Sequence, residues 1–557
     1  MRTWSNDEVA GILERFGGLL RLSGENPFRA RAYLVAADAV RQLNEPVVDL
    51  TAAGRLREVG GIGEGMAAAI REIIATGSFA ALDTLSSTYP PSLLDLLALP
   101  GIGPKTAIRL HREFGLLDLA GVEAAVSRGT FRHAKGLGPR FEAELAASLQ
   151  AIRAHTGQVP IGVALPAARS LRAVLRQALP GRVEIAGGVR RFAETVDRLA
   201  IVVEAIDLRA AEATIEALPL VSQVVERADD RIRVRLQAGH EADIFMATPT
   251  GFGTTLLRAT GPAAHVDRLE PMPDAARDEA EVYAARALPW IPPELRSGGA
   301  EFDRLGEIPG LIDRRHIQGE LHSHSTWSDG TATIGEMAAA AAGRGYEYLG
   351  VTDHSRSLGV ANGLDVERLR AQRREIDSSA AGIVLLQGAE VEVARDCSLD
   401  YDDATLASLD VVVASLHSGL RQDRATLTRR LLRVLDNPNV DIIAHPSGRL
   451  IERRQGGDFD WDRVFIAAAA RGTALEVNAD PSRLDLNAGM ARDALAAGCL
   501  LSINCDAHNP QGFALIEYGI AVARQAWATP DRVINAWPLA RLREWLATRG
   551  RRSFPDR

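Results

Sequence analysis

Imidazole and carboxylate groups gather in the C-terminal part of the chain at spacings that suit metal ions. His322-Ser-His324 is followed by Asp329; then come Asp353-His354, Glu390, His417, His445 and Asp506-Ala-His508. On an extended segment residues i and i+2 point to the same side, so His322 with His324, and Asp506 with His508, can each aim two donors at one place. A single histidine after a strand is ordinarily a polar loop residue. Six of the chain's 12 histidines (His322, His324, His354, His417, His445 and His508) fall in this one series, and with the interleaved carboxylates they point to a metal cluster. Mixed nitrogen and oxygen donors suit zinc, manganese or iron rather than magnesium or calcium, which prefer all-oxygen shells.

The elements that must position these donors are also visible. A short apolar run precedes nearly every one: Tyr348-Leu-Gly-Val before Asp353-His354, Ile383-Val-Leu-Leu before Glu390, Val411-Val-Val before His417, Val440-Asp-Ile-Ile before His445, and Leu500-Leu-Ser-Ile before Asp506, with Leu475-Glu476-Val-Asn478 in between. Such runs suit buried parallel strands. Ala-rich helical stretches, Thr333 to Arg344 and Phe465 to Arg471, separate them. The alternation predicts a β/α layout, as in a barrel, with the chemistry at the C-terminal strand ends.

On these motifs residues 319–557 resemble the PHP (polymerase and histidinol phosphatase) domain. The resemblance implies a distorted (β/α)7 barrel and a three-metal site. His322, His324, Glu390 and Asp506 would hold one metal. Glu390 would bridge to a second, with His417 and His445. Asp329, His354 and His508 would hold the third. It further implies phosphoester hydrolysis, with a metal-acidified hydroxide as nucleophile and no protein nucleophile. Asp353, Glu392 and Glu476 are expected to support the ligands rather than join them. Arg449 and Arg483 could meet substrate phosphate, or could be ordinary ion-paired residues.

At 557 residues the chain has room for roughly three to five domains. Hydrophobic content of 46% and charged content of 24% are those of a globular protein. Three cysteines, Cys397, Cys499 and Cys505, argue against a disulfide framework and for a reducing, cytoplasmic setting. The sequence contains no apolar run of about 18 residues, so no membrane partner is expected, and the N-terminal residues lack a signal-peptide core. A net charge of −8 counts mildly against nucleic-acid binding, although local patches matter more than the sum.

Residues 7–43 read as amphipathic helices. Beyond them Gly60-Gly61-Ile62-Gly63 opens an Ala-rich helix, and Pro100-Gly101-Ile102-Gly103-Pro104-Lys105 repeats the pattern. Lys135-Gly136-Leu137-Gly138-Pro139-Arg140 is a weaker third copy. Glycine lets another backbone come close, and the N–H groups at the following helix start can hold a phosphate oxygen. Two strong copies in helical context read as helix-hairpin-helix clamps on the DNA backbone, with Gly61, Gly63, Gly101, Gly103 and Lys105 as contacts. Such contacts carry no base specificity.

Strand-like runs appear from residue 159, around Gly187-Gly188-Val-Arg190-Arg191-Phe-Ala-Glu194-Thr195-Val-Asp197-Arg198-Leu-Ala200. With the hairpins, Phe252-Gly-Thr-Thr, Thr260-Gly261, Tyr283 and Trp290-Ile-Pro292-Pro293-Glu294-Leu295-Arg296, this is similar to the bacterial and archaeal family X DNA polymerases along essentially the whole chain. The resemblance implies a multidomain protein: an all-α lyase-like domain with helix-hairpin-helix (1–78), helix-hairpin-helix fingers (79–152), an α+β nucleotidyltransferase-like palm (153–250), a thumb (251–300), a linker (301–318) and the PHP domain (319–557).

The palm departs from the family pattern Gly-Ser-x-Arg-Arg-x-x-Glu-Thr-x-x-Asp-x-Asp. Gly188 replaces the Ser, Arg198 and Ala200 replace the two Asp, and only the third carboxylate, Asp243, remains. Two-metal nucleotidyl transfer needs converging carboxylates. Asp197 is one residue off, which on a strand turns it to the other face. The Thr-Gly-Ser-x-x-His-Asn pattern becomes Thr260-Gly261-Pro262-Ala-Ala-His265-Val266, and Ala69 stands where the lyase Schiff-base Lys is required.

The expected function is therefore a metal-dependent phosphoesterase on DNA, a 3'-5' exonuclease in repair, acting as a monomer with an inactive polymerase palm. The alternatives are a working polymerase with a proofreading PHP domain, and a phosphatase for small esters such as histidinol phosphate.

Overall fold

The computed structural model describes residues 4, 6–25, 27–41, 43, 46–97, 99, 102–132, 134, 136–155, 158–379 and 382–549. The chain divides into two compact units, a helical one up to Thr156 and an α/β one from Gly157.

The helical unit is built on amphipathic helices, as the apolar spacing predicts. Asn6–Ser23 packs on Pro27–Arg41, and the helices Glu64–Thr76, Ala80–Thr88, Pro104–Phe114, Leu119–Ser127 and Gly138–His155 follow. Leu13, Phe16, Leu20, Ile70, Leu110 and Phe131 lie in one apolar core, where Phe16 meets Tyr33 and Phe79 edge-on with ring centroids 4.6 and 4.9 Å apart. Ile62 and Ile102, the middle residues of the two strong Gly-x-Gly turns, are buried in the same core. Gly61 takes φ +84°, open to glycine and strained for other residues.

The α/β unit starts with a ribbon of β1 (Val159–Pro160) against β3 (Thr195–Val196). Its five-stranded sheet contains β2 (Val183–Ile185), β4 (Leu199–Glu204), β5 (Val221–Ala228), β6 (Arg231–Leu236) and β7 (Glu241–Ala247), in the order β2-β4-β7-β6-β5. Only β4 and β7 pair in parallel. Beyond it, Glu279 is buried between Arg296 (2.6 and 3.0 Å) and Arg190 (2.8 and 2.9 Å). His265 is enclosed by Glu301 (2.6 Å) and the Tyr283 hydroxyl (2.7 Å). Residues 301–318, expected as a linker, are folded. The 3-10 helices Ala300–Gly310 and Arg314–His316 are followed by backbone bonds from Ile312 and Gln318 to the carbonyls of Ala528 and Asn535, both 2.9 Å.

The remaining strands form a seven-stranded parallel sheet: β8 (Gly319–Glu320), β9 (Tyr348–Val351), β10 (Val384–Glu392), β11 (Val411–Ser415), β12 (Ile442–Ile443), β13 (Ala474–Asn478) and β14 (Leu501–Asn504). Its two edges meet just beyond β8 and β14, where Ser323 bridges Ala507 and His324 N–H donates to the Ala507 carbonyl at 2.9 Å. Below, the Glu320 carboxylate accepts Cys505 N–H at 3.0 Å and the Asn504 amide oxygen accepts Leu321 N–H at 3.3 Å. The sheet thus curls into a nearly closed barrel, as the β/α alternation predicts. The Ala-rich helix runs from Ile334 to Gly343, with Thr333 and Glu336 forming a capping box.

Candidate metal centre

All nine side chains that the PHP resemblance implies as ligands converge at the C-terminal end of the barrel. His322 and His324 leave the seam after β8, His354 follows β9, and Glu390 lies inside β10. His417 follows β11, His445 follows β12, and Asp506 and His508 follow β14. Three groups of donor atoms lie close enough to hold an ion: His322, His324 and Asp506; Glu390, His417 and His445; and His324, Asp329, His354 and His508. Glu390 joins two of them. Its Oε1 is 2.9 Å from His445 Nε2 and 3.3 Å from His417 Nε2. Its Oε2 is 3.5 Å from His322 Nε2, 3.7 Å from His324 Nε2 and 2.7 Å from His354 Nδ1. Asp329 Oδ1 lies 3.4 Å from His354 Nε2 and 3.3 Å from His508 Nε2.

The donor set fits metal ions on its own terms. His322 Nε2, His324 Nδ1, His445 Nδ1 and Glu390 Oε2 are buried without a hydrogen-bond partner, a costly state for polar atoms. A metal ion held among these groups would give such buried donor atoms a partner. His445 and Asp506 also sit at φ +27° and +52°, left-handed backbone that non-glycine residues hold at a cost and that clusters at functional sites.

A layer of carboxylates behind the donors fixes their direction. Glu476 accepts His322 Nδ1–H at 2.8 Å, Asn504 Nδ2–H at 3.0 Å and His445 N–H at 2.6 Å, so His322 presents Nε2 inward. Glu392 does the same for His417 at 2.8 Å. Asp353 accepts from Ser325 N–H (2.8 Å), Ser325 Oγ (2.7 Å), Ser328 N–H (3.1 Å) and Gln372 Nε2 (2.6 Å), tying down the loop that carries Asp329. Burial opposes charge on His322, His417 and His508, but the carboxylates beside them outweigh it. Glu476, Asp506 and Glu390 raise His322, and Glu390 with Glu392 raises His417. Asp329 and Asp506 raise His508 to about 9. His324 goes the other way, to about 3, because burial and the cations His508 and His354 act together.

The two arginines suggested as phosphate contacts part company. Arg449 is engaged: it forms a two-pronged pair with Glu194 of the palm (3.0 and 2.7 Å) and donates to the Leu484 carbonyl at 2.7 Å. Arg483 stands beside His417, whose charge it disfavours, and its guanidinium makes no bond to the described residues.

In the palm Asp243 pairs in register with Ala200. Three arginines surround its carboxylate: Arg233 at 2.7 Å, Arg198 at 3.6 Å and Arg231 at 3.6 Å. Arg231 and Arg233 were not singled out in the sequence; the i, i+2 arginines of β6 were the available signal. Asp197 is exposed and accepts Gln158 Nε2 at 3.3 Å, away from Asp243 in hydrogen bonding. In the helical unit Gly63 and Gly103 cap the helices Glu64–Thr76 and Pro104–Phe114 without any side-chain cap, which leaves N–H groups unclaimed by side chains at each helix start. Lys105 is exposed in the first turn of the second helix. Gly101 lies outside the described residues.

Fold and site together define a multidomain protein in which helix-hairpin-helix modules accompany a PHP-type barrel with groups able to hold metals. Family models agree: a helix-hairpin-helix domain matches residues 4–79, a SAM-like helix-hairpin-helix tandem 93–150, and the PHP domain 320–450. The chain is 34% identical over 555 residues, 95% of its length and 97% of the relative's, to the DNA polymerase/3'-5' exonuclease PolX of Bacillus subtilis. It belongs to the PolX family. The barrel part alone is 29% identical over 228 residues to a probable phosphatase of Syntrophotalea carbinolica, covering 39% of this chain and 90% of that one. It is 30% identical over 249 residues to one of Edwardsiella ictaluri, covering 42% and 97%.

Proposed function

We propose that the chain is a metal-dependent phosphodiesterase that shortens DNA from the 3' end, on a PolX scaffold whose palm does not polymerise. The observation that carries the hydrolytic part is Glu390, which presents one oxygen to each of two donor groups while Oε2 has no hydrogen-bond partner. Held by these groups, zinc, manganese or iron would supply an acidified water and a positive clamp on the phosphate. The chain's own work is positional. Glu476 and Glu392 lock two imidazoles with Nε2 inward, and Asp353 fixes the loop of Asp329. Arg483, close to His417 and unpaired among the described residues, is the proposed contact to a substrate phosphate; Arg449 is assigned to the palm contact instead. Helix-hairpin-helix modules and kinship with PolX support DNA as the substrate.

The inactive palm is supported by Asp243, the one carboxylate left, whose oxygens are taken up by guanidinium groups. Magnesium binding there would have to displace three cations, and Ala200 offers no ligand. The kinship with probable phosphatases supports a second reading, a small-ester phosphatase. An end-labelled primer–template and a small phosphomonoester, each offered with Mn²⁺ to wild type and to a His322→Ala, His324→Ala double variant, separate the two. Cluster-dependent shortening of DNA without monoester turnover is expected. Monoester turnover with intact DNA would overturn the nuclease reading.

A further inference from the structure

The charged end of the five-stranded sheet is not used by the hydrolytic reading. Along β6, Arg231, Arg233 and Arg235 alternate with the buried Ile232, Val234 and Leu236, so the three guanidinium groups leave from one face. Register sets Arg233 opposite Asp243 and Arg235 opposite Glu241. Arg198, just before β4, reaches Asp243 from the other side. The helix Phe252–Thr260 covers the sheet around Ala200, Val202 and Ala247. Glu226 serves Arg231 and Arg233, and Glu241 serves Arg235 at 2.6 Å. Four cations thus share three carboxylates, and Arg198 is the one left over. Its ion pair with Asp243 is 3.6 Å long, against 2.7 Å for Arg233. Its Nε is buried without a hydrogen-bond partner, while the side chain as a whole is 39% exposed.

We propose that this face is a phosphate-binding site that works without a divalent cation, with Arg198 as its anchor and a phosphate of a DNA strand or of a nucleoside triphosphate as its ligand. A carboxylate site would borrow positive charge from metal ions; this one carries its own. A guanidinium fork offers two parallel donors to a phosphate, and the Arg198 side chain, loosely held by Asp243, is open to one on its exposed side while Nε lies buried beneath. Arg231 and Arg233 keep Asp243 neutralised, so it repels the anion less. Hydrolysis at the barrel is not needed for this binding.

The test uses the full-length protein in EDTA as wild type, Arg198→Ala and Arg198→Lys. dATP is titrated by calorimetry and a fluorescent primer–template duplex by anisotropy. At least one probe is expected to bind, with affinity falling tenfold or more in Arg198→Ala and recovering partly in Arg198→Lys. A loss confined to dATP identifies a nucleotide ligand; a loss confined to the duplex identifies a strand phosphate and lowers the salt slope by about one. No binding in EDTA, or equal affinities of wild type and Arg198→Ala for both probes, overturns the proposal. Mn²⁺-dependent hydrolysis of bis(p-nitrophenyl) phosphate by the same variants reports the barrel cluster separately, so its failure would count against the nuclease and not against this site.

Discussion

Glu390 joins the cluster because its two oxygens face different imidazoles, and Glu476 matters nearly as much without facing the cavity. By accepting His322 Nδ1–H and His445 N–H, it fixes both a ligand and a ligand's backbone. Glu476→Gln should weaken metal binding by about 10- to 100-fold, measured by competition with a chelating dye; unchanged affinity would contradict this role. Protonation gives a second prediction. His322, His417 and His508 are raised above the ordinary imidazole value by their carboxylates, His508 to about 9. In the metal-free protein the His508–Asp329 pair therefore stabilises the fold fully below about pH 6.5, and that contribution fades as pH rises through 9. Metal needs the neutral ring, so loading at pH 7.5 should release protons and weaken as pH falls. Calorimetry in buffers of different ionisation heat measures the release; heats independent of buffer would refute it.

At the scale of elements, the palm sheet shares an apolar core with the barrel, and specific polar contacts are added to it. Arg449 lies four residues after His445, and its pair with Glu194 joins the His445 loop to the palm. A double-mutant cycle of Glu194→Gln and Arg449→Met should give a coupling of about 0.5–3 kcal/mol in unfolding; additive effects would mean the pair contributes nothing. Between palm and thumb, Arg296, fully buried on Glu279, is the stronger case. Arg296→Met leaves the buried Glu279 carboxylate, which both arginines hold at about 2 against burial, with Arg190 as its one remaining arginine, and should cost about 3 kcal/mol, the low end for a broken buried pair. Because Glu279 is depressed, that stabilisation persists above the ordinary carboxylate range and is lost only as pH falls toward 2. A thermal unfolding midpoint unchanged by Arg296→Met at neutral pH would contradict the argument.

These elements also mark what the sequence can and cannot disclose. Most of the donors were legible because strand alternation places them near the end of an apolar run, and that local signal survives folding; Asp329, in the loop after β8, was legible only beside the His322-Ser-His324 motif. The Gly-x-Gly turns were legible for the same reason. The partners of Arg449 and Asp243 were not, because they depend on which strand lies beside which. Glu194 and Arg449 are 255 residues apart, and Arg233 reaches Asp243 only through the β6–β7 register. Residues 301–318 read as a linker because Phe302, Leu305 and Ile308 repeat at the three-residue period of a 3-10 helix rather than at the α-helical one; they pack beside Tyr283 and Leu311, and the backbone beyond them is anchored to carbonyls of distant loops.

At the scale of the whole molecule, the proposed function assigns DNA binding to the helix-hairpin-helix modules and hydrolysis to the barrel. A side chain at Gly61, where φ is +84° and a Cβ would lie 3.1 Å from Val35, would reshape the first hairpin. Gly61→Val should lower duplex affinity several-fold and leave bis(p-nitrophenyl) phosphate hydrolysis unchanged; equal duplex affinity would remove that hairpin from the DNA interface. One gel separates a nuclease with an inactive palm from a working polymerase. Purified full-length protein with Mn²⁺ is given a 3'-recessed, 5'-end-labelled primer–template, with and without all four deoxynucleoside triphosphates. A ladder of shortened primers is expected in both lanes. Primer extension in the lane with triphosphates would contradict it, because Arg198 and Ala200 would then have to support the synthesis that their chemistry argues against.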